Sequence, residues 1–204
     1  MLHSCLDTAI PPDPRRSDRT SLLIRPIKLV SRKDEFLCLV RDISVTGVSI
    51  RSFHDLPPMD DVRLESQTGE TLEATAVWQM DRRAGFAFKQ DIDVESVIAE
   101  MGLYPKRPLR FELSTPATLF RAGQPTPATI LNLSQQGAKL QTTQRLSIGE
   151  LVRIEDGSLP SLVAKVCWRD GELYGVVFET RFTLADFAVM AARMQQPKLL
   201  ARAS

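Results

Sequence analysis

Three arginines crowd one short stretch of the chain: Arg15, Arg16 and Arg19. Further on stands Asp42-x-Ser44-x-x-Gly47. A guanidinium donates two parallel hydrogen bonds, to a phosphate or to paired acceptors on a purine edge, and it stacks on a purine face. A carboxylate accepts from N–H groups, a serine hydroxyl bonds a phosphate oxygen, and a glycine lets backbone approach a ligand closely. Each run also has a plain reading. A short basic stretch is often a solvated junction, and aspartate, serine and glycine at this spacing make an ordinary turn. Together, however, the two runs match a guanine nucleotide. One arginine can read guanine O6 and N7, worth roughly 1–3 kcal/mol of base discrimination. Asp42 can accept from the N1–H and N2–H₂ edge, and the remaining groups suit phosphate.

Little else in the chain could carry chemistry. Histidine occurs only as His3 and His54, and a lone histidine in a loop is usually a surface residue. There is no G-x-S-x-G, no H-E-x-x-H, no P-loop and no dinucleotide fingerprint. Catalysis needs a positioned acid, base, nucleophile or metal, and none is visible, so an enzyme is not expected. Cys5, Cys38 and Cys167 are odd in number and include no C-x-x-C pair, which argues against a disulfide framework and a zinc site. Cys38 and Cys167 lie in apolar runs and read as buried thiols in a reducing, cytoplasmic setting. Net charge is +1, so any anion site must be local. That balance, with aromatics at 6%, also speaks against a nucleic-acid-binding barrel. No apolar run approaches the ~18 residues that span a bilayer. Leu2-His3-Ser4-Cys5 looks like a lipoprotein cleavage box, but it has no basic and apolar regions ahead of it.

The elements that would position the two runs occur twice. Trp78 and Trp168 lie 90 residues apart, as do Gly85 and Gly175, and as do Asp42 and Asn132. Around them Ala74–Trp78 matches Val163–Trp168, and Gly85-Phe86-Ala87-Phe88 matches Gly175-Val176-Val177-Phe178. Pro14–Arg19 matches Pro105–Arg110 at an offset of 91, one residue of drift that reads as a loop indel. Four blocks in one order describe a duplicated domain. The reading is an arm over residues 1–11, copies over 12–103 and 104–196, and a tail over 197–204. Each copy shows six short β-rich runs with turn punctuation and no crossover helix, predicting an all-β fold of two small antiparallel barrels. Leu72, Ala74, Ala76 and Trp78 alternate with polar neighbours as a half-buried strand does. Asp93 predicts a helix through Met101. Thr183 with Asp186 predicts a capped helix over Leu184–Gln195.

Arg15-x-x-x-Arg19, followed by Asp42-x-Ser44-x-x-Gly47 and by the strands around Trp78 and Gly85, resembles the PilZ domain. The resemblance covers nearly the whole chain, twice. It implies two six-stranded barrels, each followed by a short helix, and a receptor for the bacterial second messenger cyclic di-GMP, with no further cofactor. The implied ligand residues are Arg15, Arg19, Asp42, Ser44 and Gly47. Arg16 adds charge beside them, and Trp78 is either a stacking neighbour or a core anchor. The arm would wrap the ligand and order on binding. In the second copy Lys106 replaces the first arginine, leaving Lys106-x-x-x-Arg110, and lysine cannot form the planar two-pronged contact. Pro108 stiffens the same segment. Asn132, Ser134 and Gly137 remain, so the second site is degenerate, and its role is scaffolding, dimerisation or contact with a protein partner. The competing reading is an adaptor that binds no nucleotide at all.

Overall fold

The computed structural model describes residues 20–32, 34–97, 108–157 and 160–196, with side chains in the first strand described from residue 25. Among the described residues twelve strands form two closed six-stranded barrels of identical topology. The first contains β1 (Thr20–Ser31), β2 (Asp34–Ser44), β3 (Gly47–Ser52), β4 (Asp61–Glu65), β5 (Thr71–Met80) and β6 (Arg83–Phe88). The second contains β7 (Phe111–Arg121), β8 (Gln124–Ser134), β9 (Gly137–Gln141), β10 (Leu151–Glu155), β11 (Leu162–Asp170) and β12 (Leu173–Phe178). Around the first barrel the order is β1-β2-β3-β6-β5-β4, and the second repeats it. Closure leaves no unpaired edge, which suits short strands that could not stand as an open sheet.

Each barrel is filled by the inward face of its alternating strands. Leu29, Phe36, Ile50, Leu64 and Ala74 are fully buried in the first. Phe111, Leu119, Ile130, Leu140, Ile154 and Tyr174 fill the second. The helix α1 (Leu184–Gln195) begins as expected, with Thr183 accepting from the Asp186 backbone N–H. It drives Phe187 into the second barrel, edge-on to Phe111 at 5.1 Å, while Ala192 on the same helix packs into the first core. The helix over Asp93–Met101 is described only as one helical turn at 94–97. Asp93 Oδ1 accepts there from the Glu95 and Ser96 backbone N–H groups, and the remainder lies outside the described residues.

The drift of one residue between the copies has a structural location. In the first barrel the pairing jumps from Ser21↔Asp42 to Arg25↔Val40, and in the second from Glu112↔Asn132 to Thr115↔Ile130. The extra residue is therefore absorbed in a bulge of the opening strand, not in a loop. Two further expectations are corrected. Cys167 is exposed, because it follows buried Val166 and takes the outward phase of β11. His54 is buried, packed on Phe36 at 5.5 Å, with Nδ1 2.7 Å from the Asp55 carbonyl and Nε2 without a partner. Cys38 is buried as expected, and desolvation pushes its thiol up to about 12. Among the described residues no helix is long and apolar enough to cross a membrane.

A polar seam ties the barrels together. Lys28 is buried, with Nζ 3.2 Å from Glu35 Oε1 and 3.1 Å from Glu65 Oε2. It also donates across the boundary to the Arg110 carbonyl at 3.1 Å. Glu35 then accepts from the Glu112 backbone N–H at 2.8 Å. Its own main chain exchanges two hydrogen bonds with the Gln195 side chain of α1, each 2.7 Å. Buried charges need partners of this kind, since an ion stripped of water without them is costly.

Candidate functional site

The carboxylate of the first motif faces outward because of a backbone irregularity. Strict alternation from buried Val40 would turn Asp42 into the barrel. Arg41 already takes the outward phase, and a register shift between Val40 and Asp42 flips the parity beyond it, so Asp42 also emerges outside. A matching shift between Ala76 and Trp78 on β5 does the same for the tryptophan. Trp78 is 46% exposed, so it is not the anchor of the core. Bulges commonly re-aim side chains in this way.

Between these two residues the strands place small side chains. Asp42 pairs with Ser49, Ser49 with Gly85, and Gly85 with Trp78, one continuous row across β2, β3, β6 and β5. The next row runs through Ser44, Gly47, Ala87 and Thr75. The outcome is a recess of about 620 Å³ on the outer wall. Its floor is Ser44, Gly47, Ser49, Gly85 and Ala87, with Arg41 and Asp42 toward one side and Trp78 toward the other. Ser49 donates to Asp42 Oδ2 at 2.8 Å and orients the carboxylate.

The motif's serine and glycine have duties inside the fold. Ser44 Oγ donates to the Gly47 carbonyl at 3.3 Å and closes the turn, as Ser134 does to Gly137 at 3.1 Å in the second barrel. Gly47 does not use positive φ. It is glycine because a β-carbon there would sit 2.6 Å from the Phe86 carbonyl oxygen on the neighbouring strand. The turn between them is tied down from outside, since Phe88 N–H donates to the Thr46 carbonyl and Ile92 N–H to that of Val45.

The structure thus brings together Asp42, Ser44, Gly47 and Trp78 on one face of the first barrel. Arg15, Arg16 and Arg19 lie outside the described residues, as does Lys106. The strand that follows them is described, and its register places Thr20 opposite Ile43 and Ser21 opposite Asp42. The described chain therefore enters the first barrel beside Ile43 and Asp42. Ser49, Arg41 and Arg83 also line or buttress the recess and were not picked out from the sequence. The outward phases of β3 and β2 would have marked Ser49 and Arg41, whereas the bulge that turns Asp42 out beside them has no residue signature.

The second barrel has the same layout with different contents. Arg110 Nη1 donates to Asn132 Oδ1 at 3.3 Å, so the degenerate pair engages itself. Lys139 stands between Asn132 and Gly175, where the first barrel has Ser49, and Val177 stands opposite Gly137, where it has Ala87. Larger side chains thus occupy the floor.

No curated protein matches the sequence. Several solved structures do. PlzA of Borreliella burgdorferi in complex with c-di-GMP is 11% identical, covering 86% of this chain and 93% of that one at a TM-score of 0.35. The MrkH–c-di-GMP complex of K. pneumonia is 17% identical, with 88% and 87% covered and a TM-score of 0.32. Escherichia coli YcgR in complex with c-di-GMP is 10% identical, with 88% and 87% covered and a TM-score of 0.31. The PilZ domain profile matches twice, over residues 13–101 and over residues 106–194, and together the two matches take in each barrel and its motif: the chain belongs to the PilZ domain family.

Proposed function

We propose that this protein is a receptor for cyclic di-GMP that binds its ligand on the first barrel and catalyses no reaction on it. The observation that carries the reading is the register of β1 on β2. Thr20 opposite Ile43 and Ser21 opposite Asp42 bring the chain leaving Arg19 directly alongside the aspartate and serine of the second motif. The Asp42 carboxylate shares its recess with the exposed indole of Trp78, and the basic segment before Thr20 would supply cations to both. In this reading Arg15 and Arg19 take guanine and phosphate with their planar forks, and Arg16 adds charge. Asp42 accepts from the guanine edge, Ser44 and Gly47 shape the turn against the ligand, and Trp78 offers a stacking face.

The response follows from the same arrangement. The arm orders around the ligand, and β1 transmits the change along its length to Lys28, which sits in the seam between the barrels. The protein works in the cytoplasm, passing the signal to a protein partner or a second copy of itself. Titration calorimetry of the full chain with cyclic di-GMP tests the reading. Micromolar or tighter binding is expected, lost in Arg15→Ala and Arg19→Ala with the melting temperature retained. A wild-type chain that gives no heat at high micromolar ligand ends it.

One observation favours adaptor duty for the second barrel. Leu151, Val163 and Val177 are 55%, 40% and 41% exposed around Lys165. The first barrel carries Asp61, Glu73 and Ala87 at those places, with Asp61 paired to Lys89 at 2.9 Å. An apolar face in place of a charged one suits contact with a protein.

A further inference from the structure

We infer that Arg51 and Arg83 form a second phosphate contact at the far end of the recess, so that the first barrel grips its ligand by two separated anionic groups. The inference rests on the receptor reading and adds residues that neither motif contains. Arg51 on β3 and Arg83 on β6 are direct cross-strand partners, and both are exposed on the outer face. Like charges directly opposite each other destabilise a sheet, since their β-carbons stand only about 4.5–5.5 Å apart. Nothing in their own row relieves the repulsion. The flanking partners are Leu39 beside Arg51 and Met80 beside Arg83, and among the described residues neither arginine has a carboxylate within ion-pair reach.

Their position gives the repulsion a use. The row holding the pair is two residues along the strands from the Ser49–Gly85 row, about 7 Å at ordinary strand rise. An extended arginine side chain spans that distance, and Arg83 already lines the recess. Two adjacent guanidinium forks make a receptor for one phosphate, which accepts from both and cancels the like-charge cost on binding. The internal repeat supplies the control. At the same places the second barrel carries Gln141 and Leu173, again direct partners, and Leu131 stands where Arg41 does. All three arginines are confined to the copy that keeps both ligand motifs. A merely solvated face gives no reason for that partition.

The test is calorimetry on the full chain carrying R51Q together with R83L, the residues of the second barrel. Affinity for cyclic di-GMP is expected to fall at least about tenfold, equivalent to 1.4 kcal/mol. Because repulsion is relieved, the melting temperature without ligand is expected to hold or rise. A wild type that binds beside a double variant losing less than that overturns this inference alone. A variant whose unliganded melting temperature drops by more than about 5 °C also overturns it, since the pair would then be structural. A wild type that does not bind overturns the receptor reading and this inference with it.

Discussion

Trp78 and Gly85 are cross-strand partners, and the indole lies so close over the glycine that a β-carbon on residue 85 would meet Trp78 Nε1 at 2.1 Å. Trp168 and Gly175 repeat the relationship at 1.9 Å. The glycines are thus kept bare by the tryptophans, and the indole stands as one wall of the recess in the first barrel.

Gly85→Ala must push that indole out of place or strain the sheet, at a cost of about 1–3 kcal/mol. In a Trp168→Phe background, the emission of Trp78 is expected to shift and ligand affinity to fall. Gly175→Ala in the native background is expected to cost similar stability while leaving affinity alone. Equal losses of affinity from both changes would contradict the placement of the ligand on the first barrel.

The buried cation of the seam offers a separate test. Lys28→Met keeps the length of the side chain and removes its charge, stranding Glu35, Glu65 and the Arg110 carbonyl together. Removing one member of a buried pair costs about 3–5 kcal/mol, and the lower end applies because Glu65 reaches solvent. Urea unfolding should show a lower midpoint, and adding Glu35→Gln should recover part of it. The first barrel should loosen from the second at the same time, seen as faster amide exchange in α1. An unchanged midpoint would mean that the seam holds nothing together.

The pattern of what could be read from the residues follows from how local each signal is. The two copies were legible because an offset of 90 is preserved in strand, turn and tryptophan alike. The Thr183–Asp186 cap was legible because its partners lie within four positions. Trp78 was ambiguous because the alternation through Leu72, Ala74 and Ala76 points inward, and the bulge that reverses it leaves no mark in residue type. Cys167 was misassigned because its apolar run hides an ordinary outward phase, one position after buried Val166. His54 looked like a surface loop residue because its cover, Phe36, comes from another strand. Lys28 could not be recognised as a buried residue, since its partners come from β2, β4 and the other barrel.

His54 also gives the protein a pH dependence with a definite sign. Burial lowers its folded-state pKa from 6.5, outweighing the opposing pull of Asp55. The unfolded chain therefore takes up this proton more readily than the native one does. Stability is at its full value above about pH 6.5 and declines as pH falls from there toward the depressed native value. Thermal melts between pH 7.5 and 5 should show this decline, and His54→Leu should flatten it over that interval. If the variant keeps the wild-type slope, some other group governs the transition.

The second barrel should be silent toward the ligand, and the reasons are separable. Its first arginine is Lys106, its aspartate is Asn132, and Arg110 already donates to that asparagine. Lys139 and Val177 then occupy the floor that Ser49 and Ala87 leave open. Asp42→Ala in the full chain should consequently abolish binding, because no second site stands behind the first. Restoring charge alone, with Lys106→Arg and Asn132→Asp, leaves the floor filled and is expected to return little. Adding Lys139→Ser and Val177→Ala to those two changes should bring measurable heat back in the Asp42→Ala background. If charge restoration alone suffices, recognition rests on the arginine fork and the carboxylate, and the shape of the recess is incidental. If all four changes together give nothing, the second barrel's remaining departures govern, namely Pro108 and the lack of counterparts to Arg41, Arg51 and Arg83.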